Sequence, residues 1–239
     1  MQIVRLALPT GPVFAEIDGD RALPLSAPPW LGGRREGAAL AWRTERLLAP
    51  VLPPKILCVG RNYEAHAREM GKDPTREAPF FFTKPSDAIV HSGSTIKFPT
   101  ASGNVHHEAE LVVAIGKRCV DVSADKALDY VFGYAVGNDL TRRDLQIAAR
   151  DRGRPWDVSK AFDDSAQIGS IFRASAVGHL KSAKIWLKVN GETRQDSDVA
   201  DMVWSVPELI SHLSKFQALL PGDLIYTGTP AGVGPLKPG

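Results

Sequence analysis

Apolar residues along this chain cluster in short runs closed by glycine, proline, asparagine or aspartate, the pattern of buried strands joined by turns. Lys55-Ile56-Leu57-Cys58-Val59-Gly60 predicts a buried strand ending at a glycine. Phe80-Phe81-Phe82-Thr83, Leu111 to Ile115, Lys184 to Val189 and Asp223 to Thr227 predict further strands. Val131 to Val136 predicts another, closing at Gly137-Asn138-Asp139. Helical punctuation is sparser. A short helix is expected after Gly60, with Asn62 as its cap, Gly71 as its terminator and Pro74 just beyond. Thr141 to Arg150 predicts a second helix, with Gly153 past its end. Ser205-Val206-Pro207-Glu208 is a capping box whose helix should run through Leu213.

The first 25 residues predict short strands around tight turns at Thr10-Gly11-Pro12 and Asp18-Gly19-Asp20. Residues 26–53 are rich in Ala, Pro, Gly and Arg and show no strand alternation. The expected organisation is a small N-terminal β subdomain with a linker over 1–50 and a larger domain over 51–239. Pro53-Pro54 marks the border, because proline stiffens the chain and discourages helix before it. Strands outnumber helices without regular alternation between them. That argues against a doubly wound sheet or a TIM barrel and predicts a β-rich α+β fold.

Composition narrows the function classes. A chain of 239 residues that is 44% hydrophobic can bury a core without disulfides. Its 29 basic and 27 acidic residues leave a formal charge of +2, with no footprint for nucleic acid and no basic helix for a membrane surface. A carboxylate substrate must therefore be held by local charges. The two cysteines, Cys58 and Cys119, lie in apolar runs and read as buried thiols. The start lacks a signal-peptide core and no apolar stretch reaches membrane-spanning length, so the expectation is a soluble, cytoplasmic protein.

The densest local chemistry is His107-Glu108-Ala109-Glu110-Leu111. On a strand Glu108 and Glu110 share one face, with His107, Ala109, Leu111 and Val113 on the other. Two like charges side by side need solvent, a basic partner or a cation, and Mg²⁺ or Mn²⁺ favours such oxygens. Asp139 follows another strand and reads either as a helix cap or as a third oxygen ligand. His66 and Glu69 share a helical face at i, i+3. They read as a surface pair or as a base with its orienting carboxylate. Lys160 stands between Trp156 and Phe162 and either reaches solvent or holds an anionic oxygen. Gly228-Thr229-Pro230-Ala231-Gly232-Val233-Gly234 reads as a turn or as a loop that lets backbone approach a ligand. It lacks the ending of a phosphate loop.

The ordered set is Val59-Gly60-Arg61-Asn62-Tyr63, His66 with Glu69, Phe82-Thr83-Lys84-Pro85, Glu108-x-Glu110, Asn138-Asp139-Leu140-Thr141-x-Arg143-Asp144, Trp156-x-x-x-Lys160-x-Phe162 and Gly228-Thr229-Pro230-x-Gly232-Val233-Gly234. This set resembles the fumarylacetoacetate hydrolase superfamily, in particular its short acylpyruvase and oxaloacetate-handling branch. The resemblance runs from about Lys55 to the end. It implies a mixed β-sandwich roll, a homodimer, and Mg²⁺ or Mn²⁺ held by Glu108, Glu110 and Asp139. It further implies His66 and Glu69 as a water-activating pair on a lid helix. Arg143, Gln146 and Lys160 would bind substrate oxygens, and Thr229 the substrate carboxylate. The chain stops at Pro238-Gly239, where the resemblance implies a turn into further strand, so a shortened C-terminus is expected.

The implied activity is hydrolytic C–C cleavage of an acylpyruvate, of fumarylpyruvate or acetylpyruvate type, to pyruvate and a carboxylic acid. Oxaloacetate tautomerisation or decarboxylation, or isomerisation of a hydroxymuconate-type dienoate, would use the same metal and Lys160 with less need of His66. A non-catalytic metal- or carboxylate-binding protein is the third reading. The distal half of the substrate should meet the lid and the segment from Arg150 to Trp156, where Arg152 and Arg154 are candidates for a second carboxylate.

Overall fold

The computed structural model describes residues 1–42, 46–71 and 76–238. The N-terminal segment forms a meander of β1 (Gln2–Leu8), β2 (Gly11–Asp18) and β3 (Arg21–Leu25), edged by the short β4 (Leu40–Ala41) and β5 (Leu47–Leu48). Then follow β6 (Ile56–Gly60), helix α1 (Glu64–Glu69), β7 (Phe80–Lys84), β8 (Ile89–His91), β9 (Val105–His107) and β10 (Ala109–Ile115). The middle of the chain supplies α2 (Ala124–Ala127), β11 (Val131–Asp139), β12 (Thr141–Arg142), α3 (Arg143–Asp151) and α4 (Asp157–Lys160). The rest comprises β13 (Ala166–Ile168), β14 (Ile171–Arg173), α5 (Ala174–Val177), a hairpin of β15 (Lys184–Val189) and β16 (Glu192–Asp198), α6 (Val206–Phe216), β17 (Leu224–Tyr226) and β18 (Gly234–Pro235). The predicted β-rich α+β fold is what the chain adopts.

One large sheet runs in the order β4-β3-β2-β1-β14-β11-β10-β17-β6-β7. The N-terminal meander joins it through β1 against β14, with Gln2 opposite Phe172 and Ile3 opposite Ile171. At its centre β10 is buried along its whole length. Ala109, Leu111, Val113 and Ile115 face one core with Leu209, Ile210 and Leu213 of α6. Val112 and Ala114 face a second core with Ile56, Cys58, Ile168 and Tyr226. Full burial of a residue such as Leu209 contributes about 1.5–3 kcal/mol. Period two then carries the face of Val112 and Ala114 outward to Glu110 and Glu108, at the end of the strand. Cys58 and Cys119 are buried and free. No helix among the described residues is long and apolar enough to cross a membrane.

Three local expectations change. Helix α1 begins at Glu64, and Asn62 does not cap it. Fully buried, Asn62 instead donates to the Trp204 carbonyl at 2.9 Å and the Thr227 carbonyl at 2.8 Å, and accepts the Trp204 N–H at 2.8 Å. Gly71, at φ +71°, does end that helix, while Pro74 lies outside the described residues. The second helix starts at Arg143 because Thr141 and Arg142 are drawn into pairing with His106 and Val105. Helix α6 runs on to Phe216, and Ser205 donates from both N–H and hydroxyl to Glu208.

Candidate active site

Glu108 sits in the break between β9 and β10, and Glu110 is the second residue of β10. Their side chains are nearly inaccessible, which removes the solvated-edge reading. Asp139 ends β11, paired beside Ala109 and Glu110 through Asn138 and Gly137. It is four residues short of α3, so it is not that helix's cap. Single oxygens of Glu108, Glu110 and Asp139 lie within 4.8 Å of one another.

Buried carboxylates must be matched by cations or metal, since an unpaired buried charge is very costly. Lys160 meets Glu108 at 2.7 Å and Asp139 at 2.6 Å, and its Nζ stands 4.9 Å from the Phe82 ring centre. Its head therefore does not reach solvent. Lys84 lies 2.8 Å from the other Asp139 oxygen, an ion-pair distance without hydrogen-bond alignment. Arg143 binds the second Glu108 oxygen and the Gln146 carbonyl, and both residues are buried on the first turns of α3. Burial pushes the Glu108 carboxyl up, but Lys160 and Arg143 outweigh it, and the net direction is down. Burial, then Asp139 and Glu108, push the Glu110 carboxyl well above its usual range. Among the described residues Glu110 makes no ion pair; it accepts the Gly228 N–H at 2.8 Å. The donor set is three hard oxygens with one carboxylate lacking a cation, and it fits Mg²⁺ or Mn²⁺.

Opposite this floor stands α1. Glu69 accepts from His66 Nδ1 at 3.0 Å and from the Gly232 N–H at 3.0 Å. Burial raises the Glu69 carboxyl, but these two hydrogen bonds bring it below its usual value. A carboxylate only accepts, so Nδ1 carries the proton and Nε2 is left as the basic nitrogen. His66 and Glu69 therefore form a pair, and buried His66 is not part of an exposed face.

The cleft between floor and roof holds about 160 Å³. Its chemical lining includes His66, Glu108, Glu110, Asp139, Lys160 and Thr229, with Arg61 and Arg150 also on its wall. Trp156 and Phe82 form its aromatic side, with ring centres 5.7 Å apart. Of the two arginines expected at the distal end, Arg154 lines an adjoining groove beside Phe80 and Trp156, and Arg152 lines neither. The glycine-rich loop passes close by. Gly228 adopts φ +98°, and a Cβ there would come within 2.7 Å of Asn62. The Thr229 hydroxyl is already engaged, donating to the Ala109 carbonyl at 2.9 Å and accepting from Gln195 at 2.7 Å.

Lys84 and Asn138 carry weight that their types alone did not reveal. Asn138 accepts the Glu108 N–H at 2.8 Å. The one local signal for Lys84 was a lysine ending an apolar strand, where alternation buries it.

Residues 55–239 match the fumarylacetoacetate (FAA) hydrolase C-terminal family, which accounts for most of the chain. The chain belongs to the fumarylacetoacetate hydrolase family. Residues 1–50 match a second family, Rv2993c-like, N-terminal. Among solved members, the fumarylpyruvate hydrolase of Pseudomonas aeruginosa, in complex with Mn²⁺ and pyruvate, is 54% identical. That match has a TM-score of 0.76 and covers 82% of this chain and 84% of that one. The 2-hydroxyhepta-2,4-diene-1,7-dioate isomerase of Mycobacterium marinum is 34% identical with a TM-score of 0.85, over 99% and 90% of the two chains. The mitochondrial oxaloacetate tautomerase of Arabidopsis thaliana is 45% identical over 77% of this chain and 82% of that one. This fumarylacetoacetate hydrolase family chain thus resembles hydrolases, isomerases and tautomerases alike.

Proposed function

We propose that this chain is a divalent-metal hydrolase that cleaves the C3–C4 bond of acylpyruvates, giving pyruvate and a carboxylic acid. The observation that carries the reading is the His66–Glu69 pair standing across one cleft from the carboxylate triad. A triad alone serves any enolate chemistry; an oriented base beside it serves water activation. Fumarylpyruvate fits better than acetylpyruvate, because Arg61 and Arg150 line the same cleft and can meet a second carboxylate.

In this reading Glu108, Glu110 and Asp139 would hold Mg²⁺ or Mn²⁺, which when bound would supply Lewis-acid charge for the substrate's oxygens. Glu69 fixes the His66 ring, and Nε2 takes a proton from water. The hydroxide so formed adds to the distal carbonyl carbon. The C3–C4 bond breaks, and its electron pair passes to the pyruvyl half as an enolate. Lys160, Arg143 and Gln146, all on the wall of the cleft, hold the negative oxygen. The proton on His66 is then available for C3. Thr229 meets the substrate carboxylate with its backbone or by releasing the Ala109 carbonyl. A homodimer belongs to the same proposal, and sedimentation reads it directly.

The second reading is oxaloacetate tautomerisation, favoured by the 45% identity to a tautomerase. It needs the floor and a group to carry the proton to C3, but no activated water. Pyruvate release from fumarylpyruvate and acetylpyruvate, with Mg²⁺, with Mn²⁺ and after chelation, separates the two. Metal-dependent release supports the hydrolase; no release, with metal-dependent loss of oxaloacetate enol, moves the reading to the tautomerase.

A further inference from the structure

Strand β16 reads Glu-Thr-Arg-Gln-Asp-Ser-Asp, without one apolar side chain. Of these residues only Gln195 is buried, at 1% exposure. The pairing with β15 slips here: Leu187 faces Gln195, and Lys188 faces Thr193. Arg194 is thus the extra residue of a bulge, and bulges re-aim the side chains beside them. The Gln195 side chain reaches the Ala109 peptide and Thr229 from a hairpin that lies outside the large sheet.

Its carboxamide is fully used. Oε1 accepts the Ala109 N–H at 2.9 Å and lies 3.3 Å from His107 Nδ1. Nε2 donates to the Thr229 hydroxyl at 2.7 Å and the Pro230 carbonyl at 2.8 Å. Ala109 N–H can only donate and the Pro230 carbonyl can only accept, so the amide has one orientation. Thr229 in turn donates to the Ala109 carbonyl at 2.9 Å. Both polar groups of the residue between Glu108 and Glu110 are therefore held by side chains.

The need for this arises in the sheet. Strands β10 and β17 pair from Val112 to Ala114, and Thr227 N–H still reaches the Leu111 carbonyl. Beyond that the chains part, and the Gly228 N–H turns to the Glu110 carboxylate. Ala109 is left without a strand neighbour on that side, and Gln195 with Thr229 takes the neighbour's place. The same hairpin crowds the loop that tethers the roof: a Cβ on Gly232 would come within 1.9 Å of the Arg194 carbonyl, and the Gly232 N–H donates to Glu69.

We propose that Gln195 is a positioning residue of this site, setting the spacing of Glu108 and Glu110 and the place of Thr229 by gripping the peptide between the two glutamates. The inference rests on the metal-site reading above. Partners of this kind, one step behind the ligands, typically govern about ten- to hundred-fold in metal affinity.

The test is calorimetric Mn²⁺ binding by the full chain, with melting temperature measured in parallel. Gln195→Met keeps the length and removes every hydrogen bond; Gln195→Asn keeps the amide and loses reach. Ser214→Ala serves as the control, because it removes a comparable buried bond, from Val122 N–H at 3.0 Å, far from the cleft. Gln195→Met should lose about ten-fold or more in Mn²⁺ affinity, with Gln195→Asn between it and wild type. The control should melt earlier and bind Mn²⁺ unchanged. If Gln195→Met does not fold, Gln195→Asn carries the comparison. A folded Gln195 variant that binds Mn²⁺ as tightly as wild type overturns the proposal and leaves the metal reading standing. Wild type that binds no Mn²⁺ overturns the metal reading and the clamp with it.

Discussion

The floor of the cleft hangs on the central sheet, whereas its roof is a six-residue helix whose chemical pair is tied to the body through the Gly232 N–H. On the floor, Glu108 and Asp139 interlock with Lys84, Lys160 and Arg143 beside Glu110, and all six side chains are buried. On the roof, His66 is buried but Glu69 keeps a third of its side-chain surface. Charges on the floor are held in place by one another, so removing one disturbs the fold as well as the chemistry. The roof can change a single step and leave the rest intact.

The largest effect should follow from breaking the floor. Asp139→Ala leaves Lys84 and Lys160 short of a carboxylate, at a cost of about 3–5 kcal/mol, the usual range for splitting a buried ion pair. It also removes a metal oxygen, so melting should fall steeply and Mn²⁺-dependent turnover should vanish together. A stable variant with wild-type Mn²⁺ affinity would show that the floor is not built as described.

Breaking the roof should act on turnover alone. His66→Ala should slow pyruvate release by about 10²–10⁴-fold, the range for losing a general base, while Mn²⁺ affinity and melting temperature stay near wild type. Any oxaloacetate enol turnover by the same variant should fall less than pyruvate release, since it needs a proton carrier but no activated water. Loss of both activities in equal measure would merge floor and roof into one unit.

Gly232→Ala probes the tie between the two regions. Its φ is +95° and the added Cβ would press on the Arg194 carbonyl, so the loop must shift. Strain of this sort costs about 1–3 kcal/mol. Part of the loss should appear as slower hydrolysis, read as kcat at saturating substrate with Mn²⁺ binding retained.

The smallest effect belongs to the rim. Arg150→Ala should raise KM for fumarylpyruvate about two- to five-fold, the scale of a partly exposed ion pair, and leave acetylpyruvate unaffected. Equal KM changes for both substrates would remove Arg150 from the distal carboxylate.

The sequence made the shared face of Glu108 and Glu110 legible because period two needs no knowledge of the rest of the fold. The spacing of His66 and Glu69 was legible for the same reason on a helix. Asn62 and Asp139 were harder, since both types cap helices locally, and the tertiary structure claimed their polar atoms for longer connections. Lys84 and Gln195 could not be assigned roles: their partners Asp139, Ala109 and Thr229 lie 55, 86 and 34 residues away. Only the meeting of β7 with β11's end, and of the hairpin with the β10–β17 gap, gives those residues meaning. The β-rich class, by contrast, followed from short apolar runs alone.

The most direct test returns Mn²⁺ stepwise to chelated enzyme while pyruvate release from fumarylpyruvate is followed. Release should be absent without metal and rise in step with occupancy of one site per chain. Release that continues undiminished after chelation would contradict a mechanism founded on Glu108, Glu110 and Asp139.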